Sequence, residues 1–269
     1  MRINLLKSIL EIPTYTGEEF SLIYFLCEYF KEKSIPFQVD EKGNVMAQKG
    51  KADYLPCVVA HTDTVHRLVE SIEIREVLRF NAQQELKNSL TGFIPNTDTQ
   101  TGCGGDDKAG VFICLELLEH CDNLKVFFPV SEENGCVGTL SVSKEWFSNV
   151  GYCLQFDSPE NNTMSLTLRG NNLFNETDAF WIKSKEIILK HGILKHQHHP
   201  FTDVKVLGDR FGLSCLNLAA GYYNFHTPTE YVVLEDVENA IKMGISLIKS
   251  LGCKEYKKSP APSNSFCMN

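Results

Sequence analysis

Residues 56–65 read PCVVAHTDTV, and the fold can be argued outward from this stretch. Cys57, Val58, Val59 and Ala60 form an unbroken apolar run, the pattern of a strand covered on both faces. The polar cluster His61-Thr62-Asp63 follows immediately. The arrangement recurs downstream. VFFPV (126–130) leads into Ser131, Glu132 and Glu133, YCLQF (152–156) into Asp157, and LSCLNLA (213–219) into a loop with Asn224 and His226. In open α/β sheets, ligands bind outside the carboxyl ends of the strands. Clusters up to 165 residues apart are therefore expected along one edge of one sheet. A fifth cluster, GCGGDDKAG (102–110), sets Asp106 and Asp107 after a glycine turn, just before an apolar helix.

The intervening segments predict helices. Leu5, Leu6, Ile9 and Leu10 predict a short first helix stopped near Pro13. Thr16-Gly17-Glu18-Glu19 reads as a capping box. The helix behind it is expected to turn Phe20, Ile23, Cys27 and Phe30 inward. PFQVDEKGNVMAQ (36–48) reads as a hairpin, AGVFICLELLEHC (109–121) as a helix, and Val237, Ile241, Ile245 and Ile248 as the stripe of a last helix. Together these predict an α/β fold: a single-domain, three-layer α/β/α sandwich with a mixed, mostly parallel sheet. Residues 1–253 are expected to form the folded domain, and the polar stretch 254–269 a frayed tail.

Composition narrows the function. The 269 residues carry 26 Lys+Arg against 34 Asp+Glu, a net charge of -8, which argues against nucleic-acid or anionic-membrane partners. No apolar run approaches the roughly 18 residues of a membrane span. Glu11 and Pro13 interrupt the start where a signal peptide would need more apolar length. The expected location is the cytoplasm. None of the ten cysteines forms a Cys-x-x-Cys pair, so reduced thiols are expected, with Cys103 and Cys136 as small packing residues. His191, His196, His198 and His199 read as a solvated loop ending in Pro200, and His66 and His120 have no evident partner.

Two histidines among several carboxylates, without a thiolate pattern, suit zinc or a similar divalent ion. The carboxylates outnumber what one tetrahedral ion needs, which favours two ions sharing one. Side chains two apart on a strand point the same way, so Asp63 can accept from the second ring nitrogen of His61 and fix its tautomer. In Glu132-Glu133, one carboxylate can ligate while its neighbour takes a proton from water.

The motifs HTDTV (61–65), GGDDKAG (104–110), SEEN (131–134), a strand ending in Asp157, and GYYNFHTPTE (221–230) resemble the co-catalytic zinc exopeptidases. That clan includes peptidase T, aminoacylase and carboxypeptidase G, and the peptidase T branch is the most similar. The resemblance implies two Zn2+, with Co2+ or Mn2+ as substitutes. His61 and Asp157 would hold one ion, Glu133 and His226 the other, and Asp106 both. It also implies a cis peptide between Asp106 and Asp107, Glu132 as general base and Asp63 as the group orienting His61. The implied activity is hydrolysis of short peptides by an aminopeptidase or tripeptidase. An N-acyl amino acid amidohydrolase and a noncatalytic metal- or peptide-binding relative stay open.

Peptidase T-type members carry a lid between the counterparts of Asp157 and His226. Only 69 residues separate these here, too few for a lid beside the remaining elements. The lid supplies groups for the oxyanion and the substrate carboxylate and often the dimer interface, so the oligomeric state is left open. Tyr222 or Tyr223 is a candidate oxyanion donor, though either ring could equally be core. Arg210 or Lys205, after Thr202-Asp203, is a candidate for holding a substrate carboxylate, and Asn224 for a further substrate contact.

Overall fold

The computed structural model describes residues 1–80, 84–168, 171–198 and 202–258. Its elements begin with α1 (Ile3–Leu10), α2 (Phe20–Glu32), β1 (Phe37–Val39), β2 (Val45–Lys49), β3 (Leu55–Val59), β4 (Glu73–Phe80) and β5 (Leu86–Phe93). Then come α3 (Gly105–His120), β6 (Leu124–Phe128), α4 (Val137–Ser141), β7 (Val150–Ser158), β8 (Thr163–Leu168) and β9 (Asn171–Asn172). The chain closes with α5 (Ala179–Lys190), β10 (Lys195–His198), α6 (Asp203–Phe211), β11 (Cys215–Ala219), β12 (Tyr222–Tyr223), β13 (Tyr231–Val233) and α7 (Leu234–Leu251).

The main sheet has nine strands in the order β1-β2-β6-β3-β7-β11-β8-β10, with β9 beside β8. Its centre, β6-β3-β7-β11, is parallel throughout, and every residue of these four strands is buried. Strands that must hide both faces have no polar side to alternate, which is why they read as unbroken apolar runs. The hairpin β1–β2 is antiparallel, as its sequence predicts. Helices α1, α3, α5 and α7 pack on one another, and α4 packs on α6. This is the three-layer α/β/α sandwich with a mixed sheet. No helix among the described residues is long and apolar enough to cross a membrane.

A second sheet, β12-β13-β5-β4, is antiparallel and has no counterpart in the sequence reading. β4 is half-exposed and alternating, with Leu78 and Phe80 more than 60% open to solvent. Such strands leave only a weak apolar signal.

Local expectations fail where distant partners win. The capping box at Thr16–Glu19 does not form. Glu19 precedes α2 without a side-chain cap, and its Oε1 accepts from the Ser131 amide at 3.0 Å. The inward face of α2 is Leu22, Leu26, Tyr29 and Phe30, while Phe20 is 76% exposed. The histidine-rich stretch is not a plain loop, since Lys195–His198 is a strand parallel to β8. His191 Nδ1 lies 2.8 Å from Asn239 Oδ1, whereas His199 and Pro200 lie outside the described residues. The polar tail begins later than expected. Tyr256 is buried and its amide donates to the Gly151 carbonyl at 2.8 Å; residues 259–269 lie outside the described residues.

Helix α3 approaches β7 closely at Gly110, where a Cβ would collide with Asp107 Oδ1 and the Phe156 carbonyl. Replacing an exposed helical glycine by alanine gains about 1 kcal/mol, but backbone in a packed core cannot yield to the added methyl. Gly110→Ala should therefore lower stability by about 1–3 kcal/mol, read as a reduced urea midpoint with an unchanged slope.

Candidate metal centre

The loops leaving β3, β6 and β7, the start of α3 and the loop after β12 meet at one place. His61 follows β3, and its Nε2 lies 3.2 Å from Asp106 Oδ1, 3.5 Å from Asp157 Oδ1 and 4.0 Å from Glu132 Oε2. His226 comes from the other side, with Nε2 3.2 Å from Asp106 Oδ2 and 2.9 Å from Glu133 Oε1. Asp106 thus turns one oxygen to each imidazole. The Asp106–Asp107 peptide is cis, and both residues depart from helical backbone angles at the head of α3. Two sets of side chains are close enough to hold an ion, His61 with Asp106 and Glu133, and His61 with Asp107 and Asp157.

The supports are themselves largely carboxylates. Asp63 Oδ1 accepts from the Glu132 amide at 2.8 Å, and Oδ2 from the Glu133 amide at 3.2 Å and the Thr16 hydroxyl at 2.8 Å. One buried carboxylate thus fastens the loop carrying both glutamates. His61 Nδ1 faces the same residue, 3.0 Å from its carbonyl and 3.4 Å from Oδ1. With a proton held there, Nε2 is the ring nitrogen that can give up its proton to an ion. Asp157 is fixed through Gln155 Nε2 at 3.2 Å and Asn217 Oδ1, which accepts its amide at 3.0 Å.

Glu230 is fully buried and was not singled out by the sequence reading. It accepts from the Gly104 amide at 2.6 Å and the Asp106 amide at 3.0 Å. Its Oε2 also lies 2.8 Å from His66 Nε2, the partner that the sequence left unnamed for His66. The available signal was its place four residues after His226 in HTPTE, but its partners are more than 120 residues away.

The electrostatics call for a cation. Asp63, Asp106, Asp107, Glu132, Glu133, Asp157 and Asp203 gather here, and among the described residues no lysine or arginine pairs with any of them. Burial pushes Glu132 well above the usual carboxylate range and Asp157 up to about 8. His226 is pushed up to about 10 by its bonds to Asp106 and Glu133. Burial opposes charge on His61, yet Asp106, Asp157 and Asp63 outweigh it and raise its pKa. Protons thus screen a donor set of imidazole and carboxylate that suits a divalent ion, and such ions displace protons when they bind.

The candidate substrate residues have hydrogen-bond and ion-pair partners of their own. Arg210 donates to the carbonyls of Thr139 at 2.5 Å and Val142 at 2.9 Å, so its guanidinium fastens α6 to the end of α4. Lys205 pairs with Asp209, one turn along its own helix. The Tyr222 hydroxyl donates to the Asp157 carbonyl at 3.2 Å, and that of Tyr223 to Asp236 Oδ2 at 2.7 Å. Asn224 is exposed and reaches Thr229. Each of the five polar tips is thus engaged by a neighbouring group, and that of Tyr222 touches Asp157 of the cluster itself.

No family model matches the chain. It is 29% identical over 92 residues to a LysW-lysine hydrolase of Deinococcus radiodurans, a match covering 34% of this chain and 25% of that protein. The chain thus spans about a quarter of the length of the curated relative it matches. Among solved structures it is similar to the aminopeptidase PepT of Bacillus cereus, with a TM-score of 0.71 and 15% identity over 93% of this chain and 97% of that one. A tripeptidase of Staphylococcus aureus gives 0.72 and 14%, over 92% and 96%. An aminopeptidase of the archaeon Desulfurococcus kamchatkensis gives 0.66 and 14%, over 93% and 94%. At such identities the likeness is one of fold.

Glu230→Ala should leave two buried amides and an imidazole without their acceptor. A destabilisation of at least about 2 kcal/mol is expected, measured by urea unfolding. Metal uptake by the folded fraction should weaken with it, since Asp106 loses its backbone anchor.

Proposed function

We propose that the chain is a two-zinc exopeptidase acting on short peptides, of aminopeptidase or tripeptidase type. The observation that carries this reading is Asp106, with one carboxylate oxygen toward His61 and the other toward His226, each at 3.2 Å. His61 and Asp157 would hold one ion, Glu133 and His226 the other, and Asp106 both. Two such ions, when bound, supply Lewis-acid activation of water and of the scissile carbonyl.

Glu132 is the general base. It is buried beside the cluster without a hydrogen bond from any cationic group, and its nearest imidazole nitrogen is 4.0 Å away. It takes the proton of the attacking water and returns it to the leaving amine, and a pKa raised by burial suits both steps. Asp63 orients His61 and the Glu132 amide together. A small peptide is the expected partner, in the cytoplasm.

The match to a LysW-lysine hydrolase favours a second reading with the same centre, an amidohydrolase that frees an amino acid from an N-acyl conjugate. A noncatalytic relative is disfavoured by Glu132, since binding alone needs no base. Aminoacyl, tripeptide and N-acyl substrates assayed side by side separate the three.

Glu132→Gln should lower kcat by about 10²–10⁴-fold while elemental analysis still finds two metal equivalents per chain. Near-wild-type turnover with metal retained would refute the assignment. Asp106→Asn should lose metal and activity together. Chelation should abolish turnover, and zinc, cobalt or manganese should restore it.

A further inference from the structure

A cavity of about 310 Å³ lies where the small sheet meets the start of α7 and the turn after β7. No residue of the metal centre lines it. Its most distinctive feature is a layered stack. The Arg79 guanidinium sits 4.4 Å over the Tyr231 ring, and Tyr231 stacks on Tyr223 at 5.1 Å with 7° between planes. Stacking holds a guanidinium by its face and leaves its N–H edge available for a planar, bidentate partner.

Arg79 has no ion-pair partner among the described residues. Of the cavity's cations, Lys87 pairs with Glu235 at 2.6 Å and Lys195 with Glu160 at 3.4 Å. Among the described residues no carboxylate pairs with Arg79, whose contacts are the Tyr231 ring and a 3.4 Å bond to Thr91 Oγ1. Two buried polar atoms in this wall also lack partners among the described residues, the donor Arg79 Nε and the acceptor Asn162 Oδ1. Native interiors rarely leave such atoms unmatched. Both belong to residues that line the cavity.

We infer that this cavity is a second ligand site, for the zwitterion of a free α-amino acid, with its carboxylate on Arg79 and its ammonium on Glu160. A dianion such as phosphate suits it less, because Glu160 and Asp236 share the wall and only one cation is unpaired. Asp236 is held by the Tyr223 hydroxyl at 2.7 Å and Asn161 Nδ2 at 3.0 Å, which fixes the opposite side. Phe80 and Val233 offer apolar contact for a side chain. The volume is at the small end of ligand cavities, which run from roughly 300 Å³. An occupant packs against Tyr223, three residues before His226, yet the inference does not require the metal centre to be catalytic.

The test is calorimetric titration of L-leucine into the full chain, before and after chelation of its metals. Binding that survives chelation, and that weakens about tenfold or more in Arg79→Gln, is the expected result. Leucinamide lacks the carboxylate and N-acetyl-leucine the ammonium. Each should bind the wild-type chain at least about tenfold more weakly, and this arm needs no variant to fold. No binding up to about 10 mM, binding lost on chelation, or equal affinity for leucinamide would each overturn the inference.

Discussion

Asp106 presents one carboxylate oxygen to His61 and the other to His226, in a region where seven carboxylates gather and, among the described residues, none is paired with a lysine or arginine. Bringing that much negative charge out of water is costly unless each oxygen has a donor or a cation to face. Much of the surrounding architecture answers this demand. Asp63 and Glu230 use their charge to anchor backbone amides, each holding two. Asp107 accepts the amides of His61 and Gly110. The oxygens facing the two imidazoles are the ones left for an ion.

The sheet makes this convergence possible. Four central strands, buried on both faces, end their apolar runs at the same edge, so each releases its polar cluster into the same space. The small antiparallel sheet contributes the last part. β12 and β13 flank residues 224–230, where Asn224 and His226 both take positive φ, and this sharp loop turns His226 back toward Glu133. Glu230 at the end of the same loop reaches the head of α3, tying the His226 loop to the Asp106 loop in one network.

The sequence nominates Arg210, Lys205, Tyr222 or Tyr223, and Asn224 to grip a substrate. The residues nominated for that task are committed elsewhere: Arg210 to the carbonyls of Thr139 and Val142, Tyr223 to Asp236. Arg79 and Tyr231 stack on the small sheet, which the sequence did not reveal.

The sandwich, and the set of residues worth gathering, were legible in the amino-acid order. Continuous apolar runs and 3.6-residue periodicity are local consequences of burial, and a polar cluster after such a run is placed by the strand it ends. Which donor meets which acceptor was settled by folding. Thr16 and Glu19 form an adequate capping box on paper, but Asp63 and Ser131 are better partners once the chain has closed. Glu230, Gln155 and Asn217 look like ordinary polar residues until strands and loops far away in sequence bring amides and carboxylates to them. Hydrogen-bond partners are chosen by distance and angle, and across long separations those exist only in the folded chain.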